Sequence, residues 1–385
     1  MRAETFISRK LKFQGNVAAA AIAVSFFVII VAVAVSSGFR HTVREGVAAM
    51  TGDIRISPYV SSEGEPVPMP RNLPSEAVIT ALPDVQEIVP AAVRAGIVKE
   101  GDIVHGVVVK GIADGTERPF LGVSIPHRLS EITGLGVGDD MTTYFVGEKV
   151  RVRKFHIIAV HRDILEMDDN LLVYASLEDI QRLNGWDSTQ VSCLDVRLRH
   201  DSRERMEEVA GYIGHQLLTS GHPEEEVLYV SASSNTYFQL FSWLDLLDNN
   251  VVFILILMTV VAGFNMVSGL LIMLLRNIPT IGTLKTLGMG NRAIGRLFVR
   301  ISARAVFKGM LIGNALALLF CLIQGTTHLI PLDPANYFVS WVPVHVNPLT
   351  VLLADAAAFA GILLLLWLPS RVVASIDPAK TVKAD

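Results

Sequence analysis

Residues 251–288 read VVFILILMTVVAGFNMVSGLLIMLLRNIPTIGTLKTLG, and this stretch decides the fold. From Val251 to Leu275 it carries no charged side chain. About 20 such residues suffice for a helix to cross a hydrocarbon core of roughly 30 Å. The run breaks at Asn277-Ile278-Pro279 and restarts as a short amphipathic segment, Thr280 to Leu287, closed by Gly288. A membrane helix that hands over directly to a small capped helix at the surface is suited to carry force from a soluble partner into the bilayer.

Working outward, the same apolar texture recurs three more times. Residues 16–39 form an apolar run too long for the 7–15-residue core of a signal peptide, so an uncleaved first span is expected there. The second span is residues 246–275, the third 309–330 and the fourth 349–369, with a loop at 331–348 that carries Tyr337 and Trp341 at the membrane interface. Residues 1–15 hold Arg2, Arg9, Lys10 and Lys12 among Phe6, Ile7, Leu11 and Phe13, which reads either as a basic amphipathic segment or as a plain positive flank. Residues 276–308 carry Arg292, Arg296, Arg300, Arg304 and Lys308 at a spacing of four, one face of a helix, and no acidic residue lies between Arg276 and Asp333. The tail, 370–385, adds Arg371, Lys380 and Lys383. By the positive-inside rule these basic segments, and both termini, belong on the cytoplasmic side. The composition agrees: 51% of the 385 residues are hydrophobic and only 18% charged, against about 25% in soluble domains.

Residues 40–245 differ in kind. Short Val- and Ile-rich runs alternate with Gly, Pro and Asp, at 53–57, 104–110, 149–160, 171–174 and 191–198, and read as strands. Ser75–Leu82, Leu177–Leu183 and Ser202–Leu218 read as helices, and Pro66, Pro68, Pro70 and Pro74 mark a loop. This is an acidic α+β domain of two lobes on the far side of the membrane, with Asp168-Asp169 and Glu224-Glu225-Glu226 as examples of its carboxylate excess. Cys193 and Cys321 lie in unrelated contexts and are not expected to pair.

No phosphate loop of the form G-x-x-x-x-G-K-[ST], no H-E-x-x-H, no C-x-x-C and no G-x-S-x-G occurs, so nucleotide binding by that loop, zinc hydrolysis and serine catalysis find no motif. The histidines of the outer domain have no ligand spacing, and no metal site and no nucleic-acid partner are expected. Within the spans, Asn265, Asn314 and Asp355 are polar. Asp355 reads as a helix-paired or solvated carboxylate in preference to a proton relay, and Asn265 as a hydrogen bond between helices. Gly309 and Gly313 form a small-xxx-small pair, a weak sign of close helix packing.

These residues together resemble the LolC/LolE group of lipoprotein-releasing ABC transporter permeases, within the FtsX/MacB superfamily. The resemblance runs through Phe6–Leu11, Val108–Ile112, Glu166–Tyr174, Leu177–Leu183, Gly263–Ser268, Ile281–Gly288 and Pro378-Ala379. It implies a type VII ABC transporter permease: an α-helical membrane protein with four transmembrane helices plus a large periplasmic α+β domain, in the bacterial inner membrane. It implies a second permease chain, identical or paralogous, a cytoplasmic LolD-like ATPase dimer, lipoprotein substrates and a LolA-like periplasmic carrier. This chain would bind no cofactor; ATP and Mg would serve the partner ATPase. Pro279, Thr280, Ile281, Gly282, Thr283, Leu284, Lys285, Thr286, Leu287 and Gly288 would form the coupling helix in the ATPase cleft. The family often has Glu where this chain has Thr280, whose hydroxyl is expected to cap the helix instead. Phe264, Asn265, Met266 and Ser268 would line a lipid cavity or the dimer interface, or serve as ordinary packing. Two other readings stay open: a MacB-like mechanotransmission exporter, and an FtsX-like regulator of a cell-wall hydrolase, against which the large outer domain argues.

Overall fold

The computed structural model describes residues 16–58, 66–101, 103–113, 118–147, 150–162, 165, 171–199 and 202–370. The basic segment 1–15, the tail from 371, the strand edge at Lys149 and the Glu166–Asn170 part of the resemblance lie outside the described residues. In chain order the helices are α1 (Asn16–Thr51), α2 (Glu76–Thr80), α3 (His127–Thr133), α4 (Leu177–Asn184), α5 (Arg203–Leu218), α6 (Pro223–Glu226), α7 (Ser233–Thr236), α8 (Phe238–Arg276), α9 (Ile278–Thr286), α10 (Asn291–Thr327), α11 (Pro334–Tyr337) and α12 (Pro348–Ser370). The strands are β1 (Ile54–Pro58), β2 (Met69–Pro70), β3 (Val85–Glu100), β4 (Ile103–Ile112), β5 (Gly122–Pro126), β6 (Asp140–Phe145), β7 (Arg151–His161), β8 (Leu171–Ser176), β9 (Gln190–Val191), β10 (Cys193–Leu198) and β11 (Leu228–Ala232).

The chain divides into two compact units, residues 1–39 with 244–330 and 342–385, and residues 40–243 with 331–341. Among the described residues four helices are long and apolar enough to cross a membrane: Ala19–Thr51 within α1, α8, α10, and Pro348–Trp367 within α12. Three of these helices outrun the apolar segments that announce them. Helix α1 continues past Phe39 to Thr51, α8 begins at Phe238, and α10 takes in the whole arginine row from Asn291. No proline interrupts them, so once begun the backbone ladder propagates through the polar residues.

The helical unit is held by an apolar core to which α1 gives Ile22, Phe26 and Ile30, α8 Met266 and Leu270, α10 Leu297, Phe298 and Val306, and α12 Ala358, Ile362 and Leu366. Between α1 and α10 the contact is backbone-close. A Cβ on Gly309 would fall 2.7 Å from Ile22 Cγ2, and one on Gly313 would fall 2.9 Å from Phe26 Cβ and overlap Ala23 O. The small-xxx-small pair is therefore an interface inside this chain. Asn314 Nδ2 donates to Asp355 Oδ2 at 2.5 Å, tying α10 to α12, which is the helix-paired reading of that carboxyl.

The outer unit is built on one nine-stranded sheet, in the order β11-β1-β10-β3-β4-β8-β5-β7-β6, with a β2–β9 ribbon beside it. Strand β3 runs through both ends of this sheet. The first part of β3 pairs with β10, and the rest runs antiparallel to β4 along its whole length. At Ile97 and Val98 β3 also meets β6, which closes β3-β4-β8-β5-β7-β6 into a barrel. Gly96 sits at that closure, where a Cβ would come within 2.8 Å of Phe145 and Thr143 side chains, so the strands cross only because the side chain is missing. Phe145 and Phe155, both buried, meet edge to face at 6.2 Å. Strands β3, β5, β6 and β11 do not stand out in the sequence; Pro90 and Gly96 break the pattern of β3, and β5 is short and ends in Pro126.

Candidate functional site

The site with the most definite geometry is α9 and its two ends. Asn277 closes α8: its N–H donates to Met273 O at 3.2 Å and Leu274 O at 3.1 Å, and its Nδ2 to Met273 O at 2.8 Å. Helix α9 then begins at Ile278, with Pro279 in the first turn, where a missing N–H costs nothing. Thr280 consequently lies inside the helix and does not cap it; the N-cap is Asn277, which makes no side-chain cap bond. The expectation of a Thr280 cap is corrected by that earlier start.

The C-terminus is closed more firmly. Gly288 has φ of +88°, and its N–H donates to Lys285 O at 3.0 Å while Met289 N–H donates to Leu284 O at 2.9 Å. This is the paired 5→2 and 6→1 arrangement of a Schellman motif, accompanied by the partly buried side chains of Leu284 and Met289 on the helical core.

One face of α9 is structural. Ile281 and Gly282 are buried, and Leu284 packs on the core. The opposite face, Pro279, Thr280, Thr283, Thr286 and Leu287, is exposed, with Lys285 half-buried. Thr283 Oγ1 donates to Pro279 O at 3.1 Å and Thr286 Oγ1 to Thr283 O at 2.8 Å. With their hydroxyls turned onto the helix's own carbonyls, these threonines offer little polarity to a partner. Leu287 is 78% exposed, a large apolar side chain at the end of a capped helix. The exposed Arg292, Arg296, Arg304 and Lys308 of α10 follow it in the chain.

The second group of sequence candidates splits. Phe264 is 64% exposed, and Asn265 and Ser268 are exposed on the same helix, whereas Met266 is fully buried in the core of this chain. Met266 is thus a packing residue, removed from any lipid cavity or dimer surface in this conformation. Helical periodicity separates it from its neighbours. On the buried side of α8, Gly263 faces Leu365 of α12, whose Cβ lies 3.3 Å from where a glycine Cβ would be.

In the outer unit, Cys193 is a buried free thiol pushed up to about 12, first by burial and then by Asp195, and is inert at neutral pH. Among the described residues no group of three or more His, Cys, Asp or Glu side chains is placed to hold a metal ion. A buried cluster that no local pattern in the sequence announces, Arg55, Lys110 and Asp195, is taken up below.

Comparison with known proteins matches two family models to adjoining parts of the chain. The MacB-like periplasmic core domain matches residues 17–216 and the FtsX-like permease C-terminal region matches residues 252–378. A curated relative, the lipoprotein-releasing system transmembrane protein LolE of Haemophilus influenzae, is 28% identical over 167 residues, 41% of this chain and 40% of that protein. The match therefore spans less than half of the relative's length. Among solved structures, the periplasmic region of MacB from Actinobacillus actinomycetemcomitans shares 13% identity at a TM-score of 0.31, over 50% of this chain and 95% of that one. The extracellular domain of the noncanonic ABC-type transporter YknZ from Gram-positive bacteria shares 15% identity at a TM-score of 0.31, over 46% of this chain and 98% of that one.

Proposed function

The chain belongs to the FtsX/MacB superfamily of permeases, and from that premise we propose that it is the subunit of an ABC transporter that draws lipoproteins out of the inner membrane and passes them to a periplasmic carrier. Being a transport subunit of the inner membrane with a periplasmic domain, it needs an ATPase partner. That partner is a separate LolD-like dimer that uses ATP and Mg; the carrier is LolA-like, and a second permease chain completes the membrane part. Both termini and α9 lie in the cytoplasm, by the placement of the basic segments.

The observation that carries the coupling half of this reading is α9: a helix fixed on one face by Ile281 and locked at its end by Gly288, with Leu287 held out. A short helix built this way transmits a push without bending, and its exposed face suits an apolar cleft. The segment Pro279 through Gly288 is assigned to that contact, with Pro279, Thr280, Thr283, Thr286 and Leu287 facing the partner while Ile281 and Gly282 hold the helix to the core. The partial likeness to LolE supports the choice of cargo. The physical need is real, since each methylene drawn from the bilayer costs about 0.8 kcal/mol and a multiply acylated protein cannot leave without an energy source. Phe264, Asn265 and Ser268 are the residues of α8 placed to meet lipid, acyl chain or a second permease.

A second reading, a MacB-like mechanotransmission exporter, draws support from the match over residues 17–216. A photo-crosslinking amino acid at Leu287, with one at Phe264 as control, tests the coupling assignment in cells. Crosslinks from position 287 to an ABC ATPase are expected; crosslinks to lipid or to the outer domain alone would overturn it. Recovery of a tripartite outer-membrane channel with the complex would favour the exporter.

A further inference from the structure

The end of α1 lies in the outer unit against a cluster of buried charge that the transport reading does not use. The last carbonyls of a helix have no partner within it. Here Lys110 Nζ donates to Ala49 O at 3.2 Å and Met50 O at 3.0 Å, and Arg55 Nη2 donates to Met50 O at 3.1 Å. Both cations are held by one carboxylate. Asp195 accepts from Lys110 Nζ at 2.7 Å and from Arg55 Nε at 2.8 Å and Nη2 at 3.1 Å.

A second pair backs the first. Arg44, on α1, donates to Asp53 Oδ2 at 3.2 Å and Leu198 O at 3.0 Å, and Leu198 N–H donates to Asp53 Oδ2 at 2.7 Å. Arg44, Asp53, Lys110 and Asp195 are all buried. Lys110 and Arg55, whose donors meet the Ala49 and Met50 carbonyls, set positive charge at the negative end of the α1 dipole.

Buried ions are a poor way to gain stability, because desolvation offsets most of their attraction and well-packed apolar side chains hold as well. What they supply is direction: the donors reach the Ala49 and Met50 carbonyls at one rotation and one height of the helix only. Lys110 stands in the Val108–Ile112 segment, and at its neighbour Gly111 a Cβ would come within 2.9 Å of Ser176 O and Ile180 Cγ1, so the missing side chain lets β4 pack closely on the start of α4. The segment thus seats α4 on one side and the end of α1 on the other.

We propose that Lys110, Arg55 and Asp195 form a lock that fixes residues 40–51 of α1 to β1, β4 and β10, so that the helix end and the sheet move as one body. Lys110 is a positioning residue in this scheme. The proposal holds whatever cargo the chain carries, so it stands or falls apart from the transport reading.

The test is a spin-label distance in the full chain in lipid nanodiscs, with both native cysteines replaced by alanine and nitroxides at H41C and Q86C. The intact cluster should give a single narrow distance, Lys110→Met should lose it, and Lys110→Arg should restore it. A broad or multiple distribution with the cluster intact overturns the proposal, and that arm is read even if Lys110→Met fails to insert. Thermal unfolding is recorded on the same samples. A lower melting temperature with the narrow distance kept in Lys110→Met would reduce the cluster to a stabilising role and overturn the lock.

Discussion

Substituting Gly288 by asparagine, alanine and proline isolates the backbone contribution of the α9 stop. A Cβ at Gly288 would meet nothing within 4 Å, so side-chain volume has nothing to strike. The φ of +88° is the whole difficulty. An L-residue in the left-handed region costs about 1–2 kcal/mol, less for asparagine. Alanine therefore lowers the equilibrium in favour of the closed turn by about 5- to 30-fold. Proline, with φ fixed near −65° and no N–H for Lys285 O, costs about 3 kcal/mol or more. The assay is the amount of acylated cargo released per ATP hydrolysed in proteoliposomes carrying the permease and its ATPase. Coupling should fall in the order glycine, asparagine, alanine, proline, with insertion into the membrane unchanged. An order that follows side-chain size, or a proline variant as well coupled as the wild type, would refute the reasoning.

Three further outcomes follow from the geometry. Lys285→Glu reverses charge beside the exposed face of α9 and should reduce coupled release while the protein still inserts; wild-type coupling would count against the assignment. Gly313→Leu drives a side chain into Ala23 O and Phe26 Cβ of α1 and should cost about 1–3 kcal/mol, read as a lower melting temperature in nanodiscs, whereas Gly211→Ala, in open space inside helix α5, should raise stability by about 0.4–1 kcal/mol. Asp195→Asn leaves two cations facing each other in the interior and should destabilise the outer domain by about 3–5 kcal/mol at neutral pH. Burial pushes the Asp195 carboxyl up, but Arg55 and Lys110 outweigh it and hold it below the ordinary carboxylate value of 3.8. Its contribution is therefore complete above the unfolded value and is lost as the pH falls through the lower folded one. The gap between wild type and Asp195→Asn in denaturant titrations should narrow on acidification below about pH 4, and a gap that stays constant would contradict the pairing.

The spans were legible because a bilayer demands a long uncharged run, a requirement that composition alone reveals. The Pro-to-Gly bounds of α9 were legible for a similar reason, since Pro279 and Gly288 punctuate the backbone by their own stereochemistry. The exact N-cap was not: Thr280 is a good capping residue by type, but Asn277 already closes α8, and the helix starts before Thr280 is reached. Met266 stands two residues from Phe264, and two residues turn a helix by about 200°, which places a buried side chain opposite an exposed one that proximity in sequence alone does not separate. The α1 lock was out of reach altogether, because Arg55 and Asp195 stand 140 residues apart and Lys110 and Asp195 85 apart. Only a sheet in which β10 pairs with both β1 and β3 brings them together.

The central claim is tested most directly by reconstituting the permease with its cytoplasmic ATPase in liposomes that hold a triacylated protein, adding a soluble periplasmic carrier, and measuring the acylated protein recovered with the carrier. Recovery that requires ATP hydrolysis, and that is lost with Gly288→Pro while the complex stays assembled, is the predicted result. ATP turnover without transfer of the acylated protein to the carrier would contradict it.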